Sequence, residues 1–156
     1  MERALATDLY QFTMAGGYYA ENRLHPATFE LSVRELSTDQ GYFLSAGLEL
    51  VLDYLSELCF SHDDVKFLKH LPNMRDLSPL FFDEYLTEFR FRGDVWAVPE
   101  GTPMSPGEPV IRVTASLPEA QIVETALLSI ILHQSAVATK AARIVESSMG
   151  RPVLDF

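Results

Sequence analysis

Few side chains in this sequence have the types and spacing that catalysis or metal binding requires. The four histidines are scattered, and none has a cysteine or carboxylate partner at metal-ligand spacing; they are His25, His62, His70 and His133. The chain has no phosphate-binding glycine loop, no nucleophile-elbow motif and no His-Glu-x-x-His zinc motif. A self-contained active site is therefore not visible, and we predict no catalytic residue and no metal ligand in this chain.

The first stretch that can serve a binding site is Thr-Asp-Leu-Tyr at residues 7–10. Asp8 and Tyr10 fall in the first turn of a predicted helix. The simpler interpretation is a helix start with a packed aromatic side chain. The more specific interpretation is that the ring of Tyr10 stacks on a flat ligand, because ring stacking adds roughly 0.5–1.5 kcal/mol to the binding free energy beyond burial.

Two later stretches have similar alternatives. Small residues flank Lys140 in residues 138–143, which indicates either a close-packed helix with a solvent-directed lysine or a lysine presented to a phosphate at a subunit boundary. Residues 101–107 are rich in turn formers; they form either a plain turn or a loop close to a ligand.

Composition narrows the function classes. A net charge of −10 and a pI of about 4.7 argue against non-specific binding to nucleic acid or anionic membranes, which needs a basic surface. The single cysteine, Cys59, allows no internal disulfide. The first residues lack the apolar core of a signal peptide, and we find no window close to the roughly 20 apolar residues of a membrane span. We therefore expect a cytoplasmic protein with no membrane partner.

The hydrophobic pattern predicts an α+β fold, with 47% hydrophobic residues to form its core. A strand over residues 27–36 alternates cleanly and is expected to be half-buried and antiparallel. The predicted helices are 7–21, 44–58, 62–70, 79–89 and 118–149, and the other predicted strands are 94–99, 109–115 and 152–156. The predicted domain boundaries are an N-terminal α+β domain at 1–117, a long connecting helix at 118–149 and a first strand of a further domain at 150–156.

The end of the chain suggests incompleteness. The helix over 118–149 would be roughly 45 Å long, more than a domain of this size needs for its own core. The strand after it has neither the following helix nor the next strand that a βαβ unit supplies. We therefore expect this polypeptide to be the front part of something longer.

The chain resembles the N-terminal part of nicotinate phosphoribosyltransferases. Six motifs in family order carry the resemblance: ATDLYQFTM at 6–14, PATFEL at 26–31, FRGDVWAVPEG at 91–101, EAQIVETALL at 119–128, ATKAARI at 138–144 and RPVLDF at 151–156. The resemblance implies the N-terminal domain of a type II phosphoribosyltransferase, in which the long helix leads into the first strand of a truncated α/β barrel.

This resemblance also implies a reaction. Such enzymes join nicotinate to phosphoribosyl pyrophosphate, giving nicotinate mononucleotide and pyrophosphate for NAD salvage. ATP hydrolysis drives the reaction through a phosphohistidine, with magnesium. The enzymes act as dimers in which each N-terminal segment reaches the partner's site. The implied partners of this chain are the two substrates and either a second copy or a C-terminal barrel portion.

Four residues receive a substrate-binding role from the resemblance. Tyr10 matches the tyrosine that stacks on the pyridine ring across the dimer, and Asp8 shapes that edge. Thr139 and Lys140 match the helix segment that faces the subunit boundary. Two positions depart from the family pattern: Ser129 stands where asparagine is usual, and Phe12 where leucine is common.

Parts of the family pattern fall outside this sequence. The family's next motif, a glycine followed by paired arginines, would begin beyond Phe156. The phosphorylated histidine and the pyrophosphate-binding loops have no match, so the fragment alone is expected to be inactive. Two alternatives stay open: a non-catalytic module for dimerisation or interaction, and a relative of the nicotinamide or quinolinate phosphoribosyltransferases.

Overall fold

A computed structural model describes residues 4–38 and 40–154. It contains four α-helices and five strands in the described residues, which confirms a mixed fold of helices and sheet. In chain order these are α1 Leu9–Ala20, β1 Pro26–Ser32, β2 Phe43–Leu44, α2 Leu48–Glu57, α3 His62–His70, β3 Asp94–Ala97, β4 Pro103–Met104, β5 Pro109–Ser116 and α4 Leu117–Ser147. A 3₁₀ turn at Pro72–Met74 and a π-helix at Phe81–Leu86 complete the described elements.

The main sheet is antiparallel, with the strand order β1-β5-β3. Val113 of the central strand lies opposite Phe29 on one side and Val95 on the other. The predicted alternation of β1 is confirmed: Leu31 is buried, whereas Thr28 and Glu30 face solvent. The strand ends at Ser32, earlier than predicted, where its pairing with β5 becomes irregular.

The predicted start of α2 at residue 44 is wrong. Phe43 and Leu44 instead form β2, which pairs with β4 from the turn-rich loop. The helix begins at Leu48, because the carboxylate of Glu100 accepts hydrogen bonds from the amides of Gly47 and Leu48, both at 2.7 Å. These two amides have no partner inside the helix, so a carboxylate from a distant loop determines where it begins.

The predicted helix over 62–70 is confirmed, and its start is determined by a local signal at Ser61. The amide of Asp64 donates to Ser61 Oγ at 3.1 Å, and the amide of Ser61 donates to Asp64 Oδ2 at 2.8 Å. This reciprocal pair is a capping box, and α3 follows it over the predicted residues. All the groups involved lie within four residues of each other, which is why the sequence alone reveals them.

The region predicted as a helix over 79–89 contains a π-helix at Phe81–Leu86. Its rings form a packed aromatic cluster: Phe81 lies 5.6 Å from Tyr85, 5.8 Å from Tyr19 and 5.4 Å from Phe82 between ring centroids. The hydroxyl of Thr87 donates to the carbonyl of Phe82 at 3.0 Å. The wider helix turn accompanies the packing of three rings from one short segment.

Helix α4 extends through the core and beyond it. Its first half is buried, with Ile122 and Ile131 almost fully inaccessible, and it packs on α1 and the sheet. By length and hydropathy, α4 is apolar enough to cross a membrane, which corrects our expectation that no stretch approaches that limit. Core helices have the same composition, and the burial of the first half is that of a core helix.

The predicted strand at the end of the chain is only partly described. Residues 151–154 have no strand conformation, and Asp155 and Phe156 lie outside the described residues. A strand needs a partner to bond with, so this part of the prediction stays a prediction. The same holds for the proposed boundaries at 1–117, 118–149 and 150–156, and for the truncated barrel.

Burial of Tyr54 on α2 predicts a loss of stability in alkali. Its side chain is 3% exposed, and burial raises the pKa of Tyr54 from 10.0 to about 12. Above pH 10 the unfolded chain releases this proton while the folded chain keeps it. The stabilisation is complete below pH 10 and is lost, by about 2–3 kcal/mol, as the pH rises towards 12.

Urea denaturation between pH 9 and pH 12 measures this loss. The variant Tyr54→Phe has no hydroxyl to ionise, so its stability is expected to fall less steeply. Burial also raises the pKa of Tyr85, so some slope remains in the variant. Identical slopes in both proteins would contradict the prediction.

Candidate functional site

Tyr10 lies on the outer side of α1, in its first turn. Its side chain is 48% exposed, although the phenol is large and mostly apolar. The backbone around it is regular: the hydroxyl of Thr13 donates to the carbonyl of Tyr10 at 2.9 Å. An exposed ring on a fixed helix turn is available for stacking, as the sequence-based hypothesis requires.

The next residue, Gln11, is fully buried and anchors α1 on α4. Its Nε2 donates to Thr125 Oγ1 at 2.9 Å and to Glu124 Oε2 at 3.2 Å. The Nε2 of Gln121 donates to Gln11 Oε1 and, at 3.0 Å, to the same oxygen of Glu124. Thr125 Oγ1 donates in turn to Asp8 Oδ2 at 3.1 Å. We call Asp8, Gln11, Gln121, Glu124 and Thr125 the Gln11 network.

Asp8 therefore has a structural partner. The helix predicted from residue 7 begins at Leu9; Asp8 is its N-cap residue, and the Asp8 side chain makes no capping bond. Its carboxylate instead accepts from Thr125, across the interface with α4. This contact places Asp8 beside Tyr10 at an exposed edge, where its substrate-binding role stays a prediction.

Thr139 and Lys140 lie on a different surface. Thr139 is 2% exposed; its hydroxyl accepts from the amide of Leu44 at 2.9 Å and donates to the carbonyl of Ser135 at 2.6 Å. These bonds attach α4 to β2. Lys140 is exposed, and both residues line a groove of about 870 Å³ between the second half of α4 and the side chains of Val33, Leu36, Gln40 and Phe43.

The structure does not bring the two pairs of predicted residues together within one chain. Thr125 and Thr139 are 14 residues apart on α4, which is roughly 21 Å along the helix axis. Asp8 and Tyr10 lie near the first of these positions, and Lys140 follows the second. A shared site would therefore need a second polypeptide, and the proposed binding roles of Thr139 and Lys140 stay predictions.

No cluster of three or more histidine, cysteine, aspartate or glutamate side chains in residues 4–38 and 40–154 is suited to hold a metal ion. Most of the carboxylates near α1 and α4 already accept protein hydrogen bonds: Glu124 in the Gln11 network, and Glu119 from the hydroxyl of Ser116 at 2.6 Å. The described residues therefore offer no cluster of three such ligands to a magnesium ion.

The turn-rich loop over 101–107 has a structural role. Pro103 and Met104 pair with β2, and the amide of Gly101 donates to the carbonyl of Ser45 at 2.8 Å. With the Glu100 cap on α2, this loop connects the sheet to the helical part of the domain. Nothing in its geometry indicates a ligand.

Sequence reasoning missed Gln11, Gln121, Glu124 and Glu100. The available signal was weak: Gln11 stands between the apolar residues Leu9 and Phe12, and Gln121 directly precedes the apolar stripe of the long helix. A glutamine on an apolar helix face needs a buried partner. The partner itself was not predictable, because it lies more than 100 residues away along the chain.

Comparison of the sequence with known proteins identifies a matching family model and several similar proteins. The family model for the nicotinate phosphoribosyltransferase N-terminal domain matches residues 5–132. The chain is 44% identical over 153 residues to nicotinate phosphoribosyltransferase pncB2 of Mycobacterium tuberculosis, covering 98% of this chain and 32% of the relative. It is 42% identical over 144 residues to the Bacillus subtilis nicotinate phosphoribosyltransferase, covering 90% of this chain and 28% of the relative.

Two solved structures are similar to the fold. Human nicotinic acid phosphoribosyltransferase matches with a TM-score of 0.85 and 36% identity, over 95% of this chain and 30% of the human chain. The nicotinate-nucleotide pyrophosphorylase of Pyrococcus furiosus matches with a TM-score of 0.73 at 22% identity, which shows a shared fold alone. The chain thus spans about a third of the length of the relatives that it matches.

Proposed function

This chain belongs to the nicotinate phosphoribosyltransferase family, whose N-terminal domain it matches, and from that membership we propose that it is the N-terminal part of an enzyme of NAD salvage. The proposed reaction joins nicotinate to phosphoribosyl pyrophosphate and yields nicotinate mononucleotide and pyrophosphate, with hydrolysis of ATP. The role of this chain is to present Tyr10 as a stacking surface for the pyridine ring.

The observation that carries this role is the contrast between Tyr10 and Gln11. The Tyr10 ring is about half exposed, while the residue beside it is completely buried and hydrogen-bonded to another helix. An exposed aromatic ring on an anchored turn loses little entropy when a flat ligand stacks on it. The phenol can then select an aromatic substrate without taking part in bond making.

The cofactors belong to other polypeptide in this proposal. Magnesium would offset the negative charge of the pyrophosphate group, and ATP hydrolysis would drive the reaction. Charge compensation of this kind requires cationic side chains or metal ligands. Because the described residues contain no cluster of three metal-ligating side chains, we assign binding of both to the part of the relatives that this chain does not span. We also propose a cytoplasmic location, which the single cysteine, an exposed free thiol, supports.

We propose two partners for the assembly. A second copy of the chain would receive Tyr10 at its own site, and a C-terminal barrel portion would cover the groove on the second half of α4. Support comes from apolar side chains that line this groove and are more than 40% exposed, namely Leu132, Ile144 and Val153. Exposed apolar surface of this extent is typical of interaction sites.

The first test concerns activity. The chain alone, mixed with nicotinate, phosphoribosyl pyrophosphate, ATP and magnesium, is expected to form no mononucleotide. A chimera in which this chain replaces the matched N-terminal part of the Bacillus subtilis relative is expected to form it. An active chain without added protein, or an inactive but folded chimera, would overturn the proposal.

The second test concerns Tyr10. In the chimera, Tyr10→Ala is expected to raise the KM for nicotinate roughly 2- to 10-fold, because the stacking contribution of about 0.5–1.5 kcal/mol is lost. Tyr10→Phe keeps the ring and is expected to stay within about twofold of the parent. The KM for phosphoribosyl pyrophosphate serves as the control and is expected to stay constant. An equal increase in the KM for nicotinate in both variants would show that stacking on the Tyr10 ring does not cause the effect.

A non-catalytic interaction module is the second candidate, favoured by the same groove of about 870 Å³ and the exposed apolar side chains near it. In this function the chain would dimerise or pair with a separately made partner. Sedimentation velocity over a range of concentrations tests the interaction module. A well-behaved monomer at high concentration would count against the interaction module.

A further inference from the structure

We infer that Gln11 is the positioning residue for Tyr10: through the Gln11 network it sets the orientation of the first turn of α1 on α4, and with it the direction of the Tyr10 ring. This inference rests on the proposed function of Tyr10. Gln11 touches no substrate in it and acts only through its neighbour. The geometry on which it stands is internal to this chain.

The hydrogen bonds of the network are complete. Both hydrogens of Gln11 Nε2 have acceptors, Thr125 and Glu124, and both hydrogens of Gln121 Nε2 have acceptors, Gln11 and Glu124. The hydroxyl hydrogen of Thr125 is accepted by Asp8. Since the Glu124 carboxylate can only accept, it fixes which end of each amide faces it. The network therefore has one arrangement that satisfies every donor.

A network of this kind restrains α1 in a way that apolar packing does not. Burial of apolar side chains is non-directional, whereas hydrogen bonds near 3 Å weaken steeply when angle or distance changes. Gln11 and Gln121 are 0% and 3% exposed, so water cannot replace a lost bond. A rotation of α1 would leave buried amide groups without partners.

Restraint of Gln11 passes directly to Tyr10, because the two residues are adjacent in a helix. Successive side chains differ by about 100° in direction, so fixing one about the helix axis fixes the other. The bond from Thr125 to Asp8 holds the residue before the helix as well. Tyr10 is thus bracketed by two anchored positions and is itself exposed. Stacking is sensitive to displacements of about 1 Å. Anchoring both neighbouring positions therefore keeps the Tyr10 ring in place and favours ligand affinity.

The first experiment uses the full chain and needs no activity. Gln11→Met keeps the side-chain volume and removes the network's central amide; Ser129→Ala removes an exposed hydroxyl one turn further along α4 and is the control. Amide hydrogen exchange is followed in the peptide over residues 5–16. We expect roughly tenfold faster exchange in Gln11→Met and no change in Ser129→Ala. Unchanged exchange in a folded Gln11→Met chain would overturn the inference.

Thr125→Val gives a second, milder variant, since valine matches threonine in shape. It removes the bond to Asp8 and one acceptor of Gln11, and we expect a smaller acceleration of exchange in the same peptide. If Gln11→Met fails to fold, Thr125→Val decides the matter alone. Exchange equal to that of the parent chain would then overturn the inference.

The second experiment tests the link to Tyr10 with a double-mutant cycle in the active chimera. Gln11→Met alone is expected to raise the KM for nicotinate about as much as Tyr10→Ala does, with the KM for phosphoribosyl pyrophosphate unchanged. In the Tyr10→Ala background, Gln11→Met is expected to add less than about twofold. A purely structural role would instead add its full effect in both backgrounds.

The outcomes separate the two claims. If Tyr10→Ala leaves the KM for nicotinate unchanged, the proposed function of Tyr10 fails. If Tyr10→Ala acts but Gln11→Met does not, or if the two effects simply multiply, the positioning role of Gln11 fails while the function of Tyr10 stands.

Discussion

Phe81→Ala is expected to lower the free energy of unfolding by about 3–5 kcal/mol, the usual cost of removing a fully buried phenylalanine ring. Phe81 is 0% exposed and stacks on Tyr85, with an angle of 16° between the rings. It also contacts Tyr19 of α1. The substitution opens a cavity in the aromatic cluster that joins the π-helix to α1, so the packing of α1 is expected to loosen too.

Phe67→Ala is the matched control for this prediction. Phe67 is the same residue type, lies on α3 and is 55% exposed, so its removal is expected to cost less than about 1 kcal/mol. Both variants are measured by urea denaturation at neutral pH, with the slope compared to check two-state unfolding. Equal destabilisation by the two substitutions would show that the aromatic cluster is not packed as described.

Gly93→Ala is expected to lower the free energy of unfolding by about 3 kcal/mol. Gly93 directly precedes β3, and a Cβ atom there would meet Ala115 Cβ and the carbonyl oxygen of Thr114, both at 2.6 Å. The second of these is a backbone atom of the central strand, so it cannot rotate away. Relief would require β3 to separate from β5.

Gly17→Ala tests whether the effect belongs to the position or to the loss of glycine itself. Gly17 lies inside α1, is exposed, and has no atom within 4 Å of the added Cβ. Alanine is the better helix former, so this variant is expected to gain about 0.5–1 kcal/mol. Opposite signs in the two variants are the expected result of thermal or urea denaturation. A stable Gly93→Ala protein would mean that the two strands are further apart than the structure shows.

The motifs that carry the family resemblance have physical reasons in this fold. The motif at 6–14 contains Gln11, which anchors α1 on α4. The motif at 91–101 contains Gly93, where strands approach closely, and Glu100, which caps α2. The motif at 119–128 includes Glu119, whose carboxylate completes the capping box at the start of α4. These motif residues hold the elements together, while Tyr10 is left exposed.

Several elements of the fold are determined by local patterns in the sequence. The alternation of β1, the capping box of α3 and the run of the long helix depend on residues within a few positions of each other, so the printed sequence predicts them. The antiparallel sheet followed from the half-buried pattern of β1. For the candidate site, the residue types singled out Asp8, Tyr10 and Lys140, and the family motifs added Thr139 and gave all four a substrate-binding role.

The tertiary structure alone decided the remaining features. The start of α2 depends on Glu100, more than 50 residues away, and the orientation of α1 depends on a glutamine pair separated by 110 residues. Which of two adjacent residues is buried, Gln11 or Tyr10, is settled by what α4 offers opposite each of them. Hydrogen bonds and packing between distant segments form only when the chain is folded, so no local pattern in the sequence contains them.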